Sequence, residues 1–184
     1  MRKGGEIRPF RRLAAMALLL TAAFILSWLE MLLSLPMPIP GIKIGLANIA
    51  ILITLYYLDG MAALTVLTGR LVLSALLFGN AAALLFSAAG GFLSFAVMCI
   101  GQRLFRRHLI TVSILGGIFH NVGQLAAASA VLCTPLWWYL PYLIIGGIAA
   151  GAFNGWLVGR ILRCKAFSDT KKSADKSFMP HEGE

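Results

Sequence analysis

Seven polar side chains stand inside or at the edge of long apolar runs, and their chemistry is the first question the sequence poses. Arg70 sits midway along an apolar stretch, too far from either end for its guanidinium to reach water easily. Glu30 lies in the last turns of the first apolar run, and Asn48 lies about one turn into the second, just after Lys43. His120, Asn121 and Gln124 fall in the middle of a later run, and the spacing of His120 and Gln124 puts both on one helical face. A charge placed centrally in a bilayer costs about 2.5–3.5 kcal/mol on insertion scales, so each of these side chains needs a reason to be there. Two readings are open. In one, Glu30 and Arg70 form a buried ion pair and the amides hold helices together. In the other, the residues line a pocket that opens outward, where Lys43 and Arg70 outweigh Glu30 and an anionic ligand or headgroup binds.

These side chains must be carried by membrane helices. Of 184 residues, 59% are hydrophobic and 12% charged, and the mean hydropathy is +0.85. A soluble domain carries about a quarter charged residues, and disorder needs the opposite composition to this one. Six apolar segments are predicted as spans: 13–35, 44–58, 61–78, 83–101, 109–133 and 140–162. The first is read as a retained span and not a cleaved leader, since it runs on to Glu30 and Pro36 without a small-residue cleavage site. Pro36, Pro38 and Pro40 forbid helix after it. Asp59-Gly60 and Gly79-Asn80 are turn dipeptides. The organisation expected is a basic N-terminus (1–12), a six-helix all-α transmembrane domain (13–163) and a polar, disordered tail (164–184).

Charge placement orients the bundle. Basic residues cluster at the N-terminus (Arg2, Lys3, Arg8, Arg11, Arg12), in one connection (Arg103, Arg106, Arg107) and at the C-terminus (Arg160, Arg163, Lys165, Lys171, Lys172, Lys176). The opposite loops hold only Lys43. The positive-inside rule then puts both termini in the cytoplasm of a multi-pass cell-membrane protein, with Trp137-Trp138-Tyr139 in the outer aromatic belt. The same reading accounts for the net charge of +9 without nucleic acid. Counting 1.5 Å per residue from the outer helix ends places Glu30 about 8 Å deep, Asn48 about 6 Å, and Arg70 and Gln124 about 12–14 Å.

Helices in lipid associate where small residues let backbones approach. Gly147, Gly151, Gly155 and Gly159 recur every fourth residue in the last span. Ala17 with Thr21, and Ala23 with Ser27, repeat the spacing in the first. These faces suit a neighbouring helix of the same chain or a partner protein.

Enzyme chemistry is not expected. A prenyl-diphosphate synthase holds magnesium with paired Asp-rich clusters, yet Asp59 is the only aspartate within the helical region. No glycine-rich phosphate loop or serine elbow is present. Cys99, Cys133 and Cys164 have no metal-ligand spacing. No metal or cofactor is anticipated, and His120 alone cannot carry catalysis.

At Pro40-Gly41-Ile42-Lys43-Ile44-Gly45-Leu46-Ala47-Asn48, Phe78-Gly79, Ala88-Ala89-Gly90-Gly91 and His120-Asn121-Val122-Gly123-Gln124, the chain resembles the Gx transporter family across about residues 10–163. Members of that family are often labelled heptaprenyl diphosphate synthase component I. The resemblance implies a six-helix protein similar to the substrate-binding (S) components of energy-coupling factor (ECF) transporters. In these an outward-facing pocket captures a small molecule and a separate ATPase module drives transport. The expected ligand is anionic, isoprenoid-like or flavin-like. The alternative is a non-transporting membrane partner of an isoprenoid or quinone synthase, or of an extracytosolic electron-transfer chain.

Overall fold

The computed structural model describes residues 9–32, 45–78, 81–105 and 108–164. Helices and short turns make up these residues, with no strand among them. The helices are α1 (Pro9–Leu32), α2 (Asn48–Tyr57), α3 (Gly60–Phe78), α4 (Ala81–Leu104), α5 (Leu109–Val131) and α6 (Leu140–Arg163). A single 3₁₀ turn, Trp137–Tyr139, leads into α6, whose first turn takes Pro141 where no backbone donor is needed.

Five of these helices are long and apolar enough to cross a membrane, which makes the chain a multi-pass membrane protein. The sixth apolar helix, α2, differs from the expected 44–58 span. It has ten residues, about 15 Å at 1.5 Å each, against the roughly 20 residues a bilayer needs. Residues 48–55 of α2 are all buried, so the helix lies within the bundle, touching α1, α3, α4, α5 and α6. α4 also runs further than expected, so the first part of the basic connection at 102–108 is helical, and Gln102 Nε2 donates to the Leu55 carbonyl at 3.0 Å. Lys43, Gly79-Asn80, Arg106, Arg107 and most of the expected tail lie outside the described residues.

Two contacts tie helix ends together. Asp59 caps α3 by accepting the Ala62 N–H at 2.8 Å, and its other oxygen takes Arg12 Nη2 at 2.6 Å. The start of α1 and the turn between α2 and α3 therefore share one end of the bundle. The pair is about half exposed, worth about 0–1 kcal/mol.

α5 is the central member of a tight trio with α4 and α6, built on small residues. A Cβ added at Gly151 would stand 2.6 Å from Ile114 Cα, one at Gly147 2.9 Å from Ile118 Cα, and one at Gly155 2.9 Å from Ile110 Cα. The glycine face of α6 is thus spent on α5 within the chain. Gly159 is the exception, with nothing within 4 Å of an added Cβ. On α1, Ala23 and Ser27 are fully buried, whereas Ala17 and Thr21 are exposed and joined to each other by the Thr21 hydroxyl on the Ala17 carbonyl at 2.9 Å.

Candidate functional site

The polar side chains converge on one glycine. Gly45 precedes α2 with φ +89°, a left-handed conformation that favours glycine. Its N–H donates to Glu30 Oε1, and the Leu46 N–H reaches the same oxygen at 3.4 Å, so the α1 carboxylate sits at the positive end of the α2 dipole. The Gly45 carbonyl accepts from the Asn48 backbone at 3.0 Å and from Asn154 Nδ2 of α6 at 3.3 Å. A side chain here would also collide, because an added Cβ would lie 3.1 Å from both Asn48 Nδ2 and His120 Cδ2.

Around this node the helices contribute paired groups. Asn48 Nδ2 donates to Ser94 Oγ of α4 at 3.4 Å. Gln124 Nε2 lies 3.1 Å from His120 Nε2, so the amide and the imidazole of α5 form a hydrogen-bonded pair one turn apart. Gly90 of α4 makes room for this pair: a Cβ there would be 2.6 Å from the His120 carbonyl and 2.7 Å from Gln124 Cγ. Glu30, Asn48, His120 and Gln124 are thereby brought to one layer, all buried.

Arg70 occupies the adjoining position between α1, α3 and α4. It is 3% exposed, and Nη1 donates to Ser27 Oγ at 3.0 Å. Ser27 is one turn before Glu30 on α1, so one helix face serves both groups. The guanidinium makes no ion pair within 4.0 Å among the described residues; the Glu30 charge acts on it through space. Nε and Nη2 are buried with no hydrogen-bond partner among the described residues. Gly91 lies against this end, where an added Cβ would be 3.2 Å from Nη2. The consecutive glycines of α4 thus admit His120 and Gln124 on one side and Arg70 on the other.

Asn121 is not part of this layer. Its Nδ2 donates to the Leu143 carbonyl at 2.7 Å and clamps α5 to α6. Three participants escaped the sequence reading. In the sequence Ser27 reads as a helix-packing residue, and Ser94 carries no signal of a site. Asn154 carries a usable signal as an amide inside an apolar helix, masked by the glycine repeat around it. Among the described residues no group of three or more His, Cys, Asp or Glu is placed to hold a metal ion.

A helical, multi-pass membrane protein with a buried polar layer between its helices is the class defined by this arrangement. Residues 19–161 match the family model described as heptaprenyl diphosphate synthase component I, and the chain belongs to that family. No curated protein and no solved structure matches it.

Proposed function

We propose that the protein is the substrate-binding (S-like) subunit of a small-molecule transporter, without catalytic activity of its own and coupled to a separate ATPase module. In this reading the chain crosses the cell membrane six times, with α2 and the residues before it forming the second pass, and both termini are cytoplasmic. Glu30, Asn48, Arg70, His120 and Gln124, with Lys43 two positions before Gly45 in the chain, serve a ligand that carries an anionic group and an isoprenoid-like or flavin-like body. Asn121 is reassigned to helix clamping.

Arg70 carries the argument. Membrane hydrogen bonds average about 0.6 kcal/mol, and a central charge costs about 2.5–3.5 kcal/mol. The bond to Ser27 does not offset that. A guanidinium kept at such expense suits a role in binding. The test is mass spectrometry of small molecules retained by the purified protein, repeated with Arg70→Ala. An anionic compound retained by wild type and lost in the variant is expected; equal retention by both sinks the reading.

The family description supports a second reading, a non-transporting membrane partner of an isoprenoid synthase. Prenyl transfer would then reside on the partner, since Asp59 is the sole aspartate of the helical region and is engaged with Arg12 and the α3 cap. Copurification separates the two: ATPase and coupling subunits favour transport, a prenyl synthase favours the second.

A further inference from the structure

Resting on the transporter reading, and narrowing its ligand, we propose that Arg70 binds a two-oxygen anion, a carboxylate or phosphate, side-on through Nε and Nη2. In a guanidinium Nη1 lies cis to Cδ, so Nε–H and one Nη2–H point in parallel from the same edge. Ser27 takes Nη1, and the two nitrogens without partners are those of that edge. The distribution is not arbitrary: one hydroxyl fixes the rotation of the plane and leaves the bidentate edge for something else. That edge matches the paired oxygens of carboxylate or phosphate, which a point charge such as lysine does not.

Among the described residues, the carboxylate whose charge acts on Arg70 is engaged elsewhere. Glu30 turns Oε1 to the backbone of Gly45 and Leu46, and does not come within 4.0 Å of Arg70. Gly91 packs against the Nη2 side of the edge, where an added Cβ would stand 3.2 Å from Nη2, so any larger residue there would crowd it. Leu67, one turn before Arg70, is buried in the main apolar cluster and meets Gly91 beside Nη2, so the surroundings of this edge on the α3 side are apolar.

Two sources carry such a group: an amphiphile from the membrane or a soluble anion from water. The experiment uses the full purified chain in nonionic detergent and measures binding and thermal stabilisation with dodecyl phosphate, laurate, inorganic phosphate and dodecyltrimethylammonium. Stabilisation by the anionic probes and not by the cationic one is expected. Inorganic phosphate matching dodecyl phosphate supports the soluble source, and response to the amphiphiles alone supports the membrane source. Arg70→Lys keeps the charge and loses the edge, and should bind about tenfold more weakly. Binding by Arg70→Lys as tight as wild type overturns the side-on geometry while leaving an anion site in place. Binding by Arg70→Ala as tight as wild type removes Arg70 altogether, and the transporter reading loses its support. Gly91→Ala retains the arginine but crowds Nη2, so it decides the matter if the Arg70 variants do not fold: weaker binding is expected, and unchanged binding overturns the proposal. A wild type that ignores every anionic probe overturns it too, leaving the ligand of the transporter to be found by copurification.

Discussion

Asn154 donates its side-chain N–H to the carbonyl of Gly45, 109 residues earlier, at 3.3 Å. This bond fastens α6 to the start of a helix too short to span the bilayer, and it sits in the same layer as the Glu30 contact to Gly45. Asn154→Leu keeps the number and branching of the side-chain heavy atoms and removes the bond. The expected loss is about 0.6–1.7 kcal/mol, at the range measured for interhelical hydrogen bonds in membranes, read as a melting temperature lower by a few degrees. An unchanged melting temperature would show that the bond contributes nothing.

Gly45→Ala should be more damaging. The left-handed backbone costs an alanine about 1–2 kcal/mol, and the new methyl meets Asn48 and His120 at 3.1 Å. Loss of stability should come with loss of ligand retention, because the same collision displaces two of the proposed binding groups. A variant that melts and binds like wild type would contradict the left-handed conformation at this position.

The glycines of α6 give a graded test. At Gly151 the methyl of alanine would meet backbone atoms of Ile114 and Ser113 at 2.6 and 2.7 Å, and backbone yields only by separating α5 from α6. Overpacking of this kind costs about 1–3 kcal/mol. Gly146 and Gly159 have nothing within 4 Å, and alanine there should leave the melting temperature unchanged or slightly raised, since glycine is the poorer helix former. Equal effects at all three positions would refute the α5–α6 packing described.

Glu30 separates charge from acceptance. Glu30→Gln keeps an oxygen for the Gly45 and Leu46 N–H groups, whereas Glu30→Ala leaves one buried and one partly buried donor without it. Each unmet donor costs about 1–3 kcal/mol, so alanine should melt well below glutamine. Equal losses in the two variants would mean that the through-space attraction to Arg70, which both remove, dominates the role of Glu30.

Hydropathy made the helices legible, because apolar length is read residue by residue. It failed at the start of α2, where 44–58 reads as one apolar run. The left-handed Gly45 and the tight turn closed by Asn48 N–H on its carbonyl delay the helix to Asn48. The expense of polar groups in lipid singled out Glu30, Asn48, Arg70, His120 and Gln124, and these do meet in adjoining positions. The same rule could not tell Asn121 from its neighbours, since a rotation of one residue about α5 turns its amide toward Leu143. Nor could it find Ser27, Ser94 or Asn154 as partners. Serines fit small-residue faces as readily as polar contacts, and a bond spanning 109 residues leaves no local pattern.

The native cysteines test the topology. Cys133 follows α5 and Cys164 follows α6, both exposed. α6 has 24 residues, about 36 Å, so the two lie on opposite faces of the membrane if α6 crosses it. By the positive-inside rule, Arg160 and Arg163 in the last turn of α6 predict a cytoplasmic Cys164. An impermeant maleimide applied to intact cells should therefore label Cys133 when the other cysteines are serine, and should label Cys164 only after permeabilisation. The Arg12 bridge to Asp59 extends the test to the second pass, because the turn at Asp59 shares its end of the bundle with the start of α1. A cysteine at Asp59 should behave like Cys164. External labelling at Asp59 would mean that the chain between α1 and α3 never returns to the cytoplasmic face, and the six-pass arrangement would fall, along with the outward placement of the polar layer.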